Sequence, residues 1–229
     1  MNFDFYIFDL DGTLLDLGNI KVHADKILLD TLKKLNLTEL PSKATRNELW
    51  LSGGAFQEVL NKWGLSDSIN FWKYYDRIDF ETRKILLKHN QIKLYQEVED
   101  ILKFIYSHKE NKKLAVCTNT ANYIVKYFLK HFKIYQYFHE IFSMGNNDQD
   151  YAKPSPKGIL RILNKLGFNP QNNSAIMIGD SIHDVIAAKK AKISSCLINH
   201  HSFKDDSWYK QWKSQPNYVI KNLKELLDL

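Results

Sequence analysis

Only two cysteines, Cys117 and Cys196, occur among 229 residues, which excludes a disulfide-stapled fold. Each lies in an apolar run of strand type, Lys113–Cys117 and Ile193–Ile198, so buried free thiols are expected. No histidine stands in the sequence where it would pair with Cys117 as a nucleophile. No window approaches the roughly 18 continuous apolar residues of a membrane span. The opening Met-Asn-Phe-Asp-Phe has no basic region ahead of an apolar stretch, so no export signal is visible. A cytoplasmic location and no membrane partner are therefore expected. The net charge of +6 comes without an arginine-rich run, a zinc-finger pattern or an RNP pattern. Its lysines are scattered, with pairs such as Lys112-Lys113 and Lys189-Lys190 as the longest clusters. That pattern describes a solvated surface and no nucleic-acid partner, although its field would draw a small anionic substrate. Internal repeats and low-complexity tracts are absent as well.

What the chain does hold is material for a packed core: 44% of it is hydrophobic and 13% aromatic. Five short apolar runs read as strands: Phe3–Phe8, Leu114–Cys117, Ala175–Ile178, Ser195–Ile198 and Tyr218–Ile220, with Glu140–Ser143 a weaker sixth. Between them, Val98, Ile101, Leu102 and Ile105 fall at i, i+3, i+4 and i+7, as do Ile159, Ile162, Leu163 and Leu166. Alternation of this kind predicts an α/β fold, a Rossmann-like core whose mostly parallel sheet is flanked by helices. The stretch from Leu17 to Ile92 breaks the alternation. It has no convincing strand and is too long for an ordinary crossover of a dozen or so residues. An inserted helical cap domain over 17–92 is expected, with the core formed by 1–16 and 93–229.

Three polar clusters follow strand-like runs and a fourth precedes the helix after another strand; in an open parallel sheet ligands bind beyond the carboxyl ends of the strands. Asp9 and Asp11 come first, ahead of Gly12 and Thr13. An Asp-Gly pair is also a common turn signal. As chemistry, Asp9 is a candidate nucleophile and Asp11 a candidate acid–base, with the Thr13 hydroxyl able to brace the loop. Thr118 and Asn119 come second. They could hold phosphoryl oxygens, or simply cap a helix over Ala121–Phe132. Lys153 is third, held by Pro154, as a fixed charge beside a transferring group or as an ordinary solvated lysine. Asp180 and Asp184 are fourth. With Asp9 they make an oxygen-rich site suited to magnesium, although helix capping accounts for either acid alone. Capping does not explain why the same edge also collects Asp9, Asp11, Thr118 and Lys153.

In this order, Asp9-Leu-Asp11-Gly-Thr, Thr118, Lys153-Pro-x-Pro and Gly-Asp180-Ser-x-x-Asp184 resemble the haloacid dehalogenase superfamily of phosphohydrolases. The insertion between the first two motifs is similar to the helical cap of the subgroup holding phosphoglycolate phosphatase and β-phosphoglucomutase. The resemblance implies Asp9 as nucleophile and magnesium ligand. It implies Asp11 as acid–base, lending its backbone carbonyl to the metal, Thr118 as phosphoryl holder and Lys153 as charge partner. Asp180 would complete the Mg2+ site with Asp184 beside it, directly or through water. The implied activity is a magnesium-dependent phosphatase acting on a small phosphorylated metabolite through an aspartyl-phosphate; a monomer or weak homodimer is expected. An acid at position 11 favours a phosphatase over a dehalogenase, because halide needs no protonation. A phosphomutase shares the core residues and stays open, as does a non-catalytic regulatory protein on this fold.

The sequence also departs from that subgroup. Ile92-Lys-Leu-Tyr95-Gln-Glu97-Val lacks its usual Pro-Gly, Lys192 stands where a helix-ending glycine is common, and Asn199-His200-His201 follow the strand Ser195–Ile198. In the cap, Arg46 is the candidate for reading a second anionic group of the substrate. Trp50, Phe56, Trp63, Phe71, Trp72, Tyr74 and Tyr75 are expected mostly to form the cap's own core. His183, His200 and His201 match no zinc motif.

Overall fold

A computed structural model describes residues 3–18, 20–108, 112–145, 148–200 and 208–229; His201 lies outside them. The chain forms two compact units: Met1–Asp16, Leu94–Met144 and Ala152–Leu229 make one, Leu17–Lys93 and Gly145–Tyr151 the other. Among the described residues no helix is long and apolar enough to cross a membrane.

The first unit is built on six strands: β1 (Phe5–Phe8), β4 (Lys113–Ala121), β5 (Glu140–Met144), β6 (Ala175–Gly179), β7 (Ser194–Ile198) and β8 (Tyr218–Ile220). They lie in the order β5-β4-β1-β6-β7-β8, and every neighbouring pair runs parallel. Short strands β2 (Leu15–Asp16) and β3 (Lys93–Leu94) form a second, two-stranded sheet; too brief for any periodicity, they have no signature in the sequence. Helices α5 (Val98–Ser107), α6 (Asn122–His131), α7 (Lys157–Lys165) and α8 (Ile182–Lys190) connect the main strands. All four residues of β1 are buried, as suits a strand covered on both faces, where a continuous apolar run replaces alternation. The expected helix faces are the buried ones: Val98, Ile101, Leu102 and Ile105 on α5, and Ile159, Ile162 and Leu163 on α7.

One boundary differs from expectation. β4 continues through Thr118 and Asn119 to Ala121, with a register shift against β5 between Cys117 and Ala121. The residue before α6 is then Ala121, in extended conformation, so neither Thr118 nor Asn119 caps that helix.

The second unit holds α1 (Ile20–Lys34), α2 (Lys43–Leu51), α3 (Phe56–Lys62) and α4 (Phe71–Lys88). Leu28, Leu32, Leu49, Leu60 and Phe71 form its buried core, with Trp50, Trp63, Trp72, Tyr74 and Tyr75 packed against it. Trp50, Phe56, Phe71, Trp72 and Tyr75 make mutual ring contacts. On α4, Asp79 and Arg83 form a buried pair at 2.8 Å.

Glycine is scarce, with nine in the chain, and other residues close several helices. Asn36, Asn90, Lys133 and Lys192 all have φ between 55° and 61°. At Lys192 the following N–H of Ile193 returns to Ala188 O at 3.1 Å, and its own N–H to Lys189 O at 3.1 Å, the double bond pattern that ends a helix on a left-handed residue. A lysine there forgoes roughly 1–2 kcal/mol relative to glycine, partly offset by the ~0.5–1 kcal/mol that glycine loses in chain entropy. Lys192→Gly is therefore expected to raise stability by about 0.5–1 kcal/mol, or ~2 °C in Tm for a chain of this size. Differential scanning calorimetry checks this, and an unchanged or lowered Tm would contradict it.

Candidate active site

The chain enters the sheet at β1, adds β4 and β5 on one side, then crosses back to lay β6, β7 and β8 on the other. The strand ends around β1 are thus a switch point, where parallel sheets leave a crevice. Asp9 follows β1, and its N–H donates to Ile178 O of β6 at 2.8 Å. Phe8 is in register with Val116 of β4 and Ile178 of β6. Thr118 within β4 and Asp180 directly after β6 therefore lie on the strands flanking Asp9.

Lys153, only 5% exposed, comes to the same place from the segment after β5. Its Nζ lies 2.8 Å from Asp9 Oδ1 and 2.5 Å from Asp184 Oδ1. Its backbone is fixed from β4: the Lys153 N–H donates to Asn119 Oδ1 at 2.8 Å, and Asn119 Nδ2 donates to Lys153 O at 3.0 Å. Asn119 was expected to bind substrate; in the structure its amide is committed to holding Lys153. A side-chain amide can satisfy one N–H and one C=O together, which suits that role.

Asp184 also proves to have other work. Its Oδ2 accepts from the Ser181 N–H at 3.1 Å and from the Ser181 hydroxyl at 2.5 Å, in the reciprocal arrangement of a capping box at the start of α8. Its other oxygen takes Lys153. With both oxygens engaged and 1% of the residue exposed, Asp184 is better placed to hold the lysine than to bind a metal directly. Ser181, not Asp180, is thus the helix cap, so the capping alternative does not account for Asp180. Gly179 is required here, because a Cβ would overlap the Asp184 carboxylate.

Two findings concern the first loop. Gly12 has φ +76°, and a Cβ on it would overlap the Asp180 carboxylate, so the loop runs directly over that acid. Thr13 does not brace the loop as expected: its hydroxyl is buried and makes no hydrogen bond among the described residues. Asp11 is held from elsewhere. Thr120 Oγ1 donates to Asp11 Oδ2 at 2.7 Å, and the Thr120 N–H donates to Thr118 Oγ1 at 3.3 Å. Thr120 was missed in the sequence, though its spacing of two from Thr118 would place both on one face of a continuing strand. Thr118 is 2% exposed.

Asp9, Asp180 and Asp184 each offer a carboxylate oxygen within 4.8 Å of the others. Lys153 pairs with two of these three acids, and a cluster of hard carboxylate oxygens suits Mg2+; the donor set fits the ion. Burial pushes the Asp9 carboxyl up to about 8, with Asp184 and Asp180 adding to the rise and Lys153 opposing it. Burial pulls Lys153 down, but Asp184 and Asp9 outweigh it, so the lysine stays charged. Burial also pushes the Cys117 thiol up to about 12, which excludes a thiolate nucleophile near neutral pH.

Arg46 is occupied within the helical unit. Its Nε and Nη2 donate to Asp25 Oδ1 and Oδ2 at 2.8 Å each, and its Nη1 donates to Pro41 O at 2.7 Å. A bidentate pair of this kind is among the stronger ionic contacts, and the guanidinium beside Asp25 holds that carboxyl below its usual range. The arginine expected to read substrate is instead tied to an acid of its own unit.

Residues 6–198 match the family described as haloacid dehalogenase-like hydrolase. The chain is 24% identical to pyrophosphatase PpaX of Halalkalibacterium halodurans over 100% of its own length and 97% of that protein's. It is 27% identical to phosphoglycolate phosphatase 1 of Pseudomonas aeruginosa, over 96% of its length and 77% of that protein's. In fold it is similar to a predicted phosphatase from Clostridium acetobutylicum, with a TM-score of 0.71, 23% identity and 100% of both chains covered. The HAD-hydrolase YfnB of Bacillus subtilis, whose structure is described as bound to magnesium, has a TM-score of 0.61 at 19% identity, with 100% and 98% covered. With four motifs around one strand-end crevice and a family match over most of its length, the chain belongs to the haloacid dehalogenase-like hydrolases.

Proposed function

We propose that this protein is a magnesium-dependent phosphatase of small phosphorylated metabolites, working through an aspartyl-phosphate on Asp9. One observation carries the reading: Asp9 bears Lys153 at 2.8 Å, shares a cluster with Asp180 and Asp184, and stands two residues from Asp11, which Thr120 holds at 2.7 Å. An Asp9 oxygen attacks phosphorus, the bond from phosphorus to the leaving oxygen breaks, and Asp11 donates its proton to that oxygen. Asp11, now a carboxylate, takes a proton from water. The resulting oxygen attacks the phosphoryl group, releasing orthophosphate and restoring Asp9. Lys153 balances the charge of Asp9 and of the phosphoryl oxygens, and Thr118 donates to one of them. Asp9, Asp180 and the Asp11 backbone carbonyl would hold Mg2+, which supplies positive charge opposite those oxygens when bound. Residues 17–92 serve as the cap that selects the substrate.

Relatives named for pyrophosphate and for phosphoglycolate set the first compounds to try. Released orthophosphate is measured with Mg2+ for pyrophosphate, phosphoglycolate, sugar phosphates and nucleotides. Hydrolysis of at least one, with chloroacetate left untouched, is the expected result. Activity on none of them favours a regulatory protein on this fold, and halide release would restore the dehalogenase reading.

Thr120→Val removes the hydroxyl that orients Asp11 while keeping the shape of the side chain. A general acid–base group typically contributes ~10²–10⁴-fold. A misdirected one is expected to forfeit part of that, so kcat should fall by roughly tenfold with KM little changed. Steady-state kinetics checks this; a change in KM alone would place Thr120 in substrate binding instead.

A further inference from the structure

Three segments remote in sequence meet beside the first loop, all within the sheet-bearing unit. Asn199 and His200 follow β7, where the Asn199 N–H is fixed on Ile220 O at 2.8 Å. His200 Nε2 lies 3.0 Å from the Thr13 carbonyl oxygen. A carbonyl only accepts, so Nε2 carries the proton of that bond. The same imidazole lies flat on the Tyr95 ring, with centroids 3.4 Å apart and planes 8° from parallel. Tyr95 in turn donates its backbone N–H to Leu14 O at 3.2 Å. Consecutive carbonyls of the loop are thus each taken by one member of a stacked pair. Burial, with the charges of Asp16 and Asp180, raises the Tyr95 phenol above its ordinary range.

The loop's own bonds do not account for this. Gly12 N–H to Leu15 O, and the Leu14 and Leu15 N–H groups to Leu10 O, give the loop its shape. They do not fix where it rests against β6, yet Gly12 must lie close over Asp180 and Asp11 must meet Thr120. The Asp9 N–H on Ile178 O holds the start of the loop against β6, and the His200–Tyr95 pair holds its far side at the two carbonyls immediately after Gly12. We infer that His200 and Tyr95 are positioning residues that seat the Gly12–Leu15 loop, keeping Gly12 over Asp180 and Asp11 at β4. The effect on turnover rests on the phosphatase reading above; the seating itself does not.

The test uses the full chain with four variants. His200→Leu removes both ring and donor, His200→Phe keeps a ring without the donor, His200→Gln keeps a donor without the ring, and Tyr95→Leu removes the other ring. Amide hydrogen exchange of the metal-free protein is read at Gly12, Leu14 and Leu15, with Ile176 and Ile178 of β6 as internal controls. In His200→Leu and Tyr95→Leu the loop amides should exchange about tenfold faster or more, with the controls unchanged. With p-nitrophenyl phosphate and Mg2+, the same variants should lose roughly tenfold to a hundredfold in kcat, as small misplacements do. KM should stay close to the parent value, and half-saturation by Mg2+ should rise. His200→Phe and His200→Gln should each recover part of the loss, and they carry the comparison if His200→Leu does not fold. Unchanged loop amides in both single variants would overturn the proposal. Faster exchange with parental kcat and parental Mg2+ half-saturation would equally overturn the positioning role. A parent without phosphatase activity would refute the function proposed above, while the exchange data would still decide whether the pair seats the loop.

Discussion

Asp9→Asn is expected to lower hydrolysis of p-nitrophenyl phosphate by at least ~10³-fold while leaving the fold intact. An amide cannot form the acyl-phosphate, and removing a covalent nucleophile disables the groups that act with it. Retention of the fold follows from the contacts. The backbone bond from Asp9 N to Ile178 O at 2.8 Å is indifferent to the side chain. Lys153 keeps Asp184 at 2.5 Å, so no buried ammonium is left unpaired. Asparagine also removes a charge whose burial is unfavourable without metal. Circular dichroism and a melting curve establish the fold, and a phosphate-release assay measures the loss. Parental turnover in a folded Asp9→Asn protein would refute the nucleophile assignment outright.

Removing divalent cations has the second large effect. EDTA is expected to cut turnover by ~10²-fold or more and added Mg2+ to restore it, since the ion contributes several kcal/mol of charge stabilisation. A stability signature accompanies this. In the metal-free protein burial raises Asp9 from 3.8 to about 8. Between those values the folded chain retains a proton that the unfolded chain has lost. Stability in EDTA should therefore fall as pH rises through that window and level off above it. At the proposed site Mg2+ would compete with the proton on Asp9, so its stabilising effect should grow with pH across the same range. Melting curves in EDTA and in Mg2+ at several pH values test this, with Asp9→Asn as the control that lacks this titration. An EDTA profile as flat as that of Asp9→Asn would show that Asp9 is not the group responsible.

The reading from sequence was strongest where one residue type admits few physical explanations. Continuous apolar runs such as Phe5–Phe8 and Ala175–Ile178 report burial on both faces of a sheet, whereas the edge strands β5 and β8 are only partly buried and β5 gave the weaker signal. Asp9 and Asp180 stood out because acids at the ends of such runs need a use, and Lys153 because a proline fixes it ahead of a helix. The roles of Asn119, Asp184 and Thr120 were not. Each depends on which partner the fold brings within hydrogen-bond distance, and those partners lie 31 to 109 positions away. Arg46 failed for the same reason: its partner Asp25 is 21 positions distant. The His200–Tyr95 stack joins two departures from the expected family pattern that had seemed unrelated in the sequence.

The left-handed lysines at 133 and 192 have a further consequence. In a parallel α/β unit each helix hands over to its next strand at the edge opposite the crevice, and α6 and α8 lead from those lysines into β5 and β7. The two strained turns therefore lie at the rim of the sheet remote from Asp9 and Lys153. Replacing either lysine by glycine should therefore raise the melting point without reaching the groups that do the chemistry.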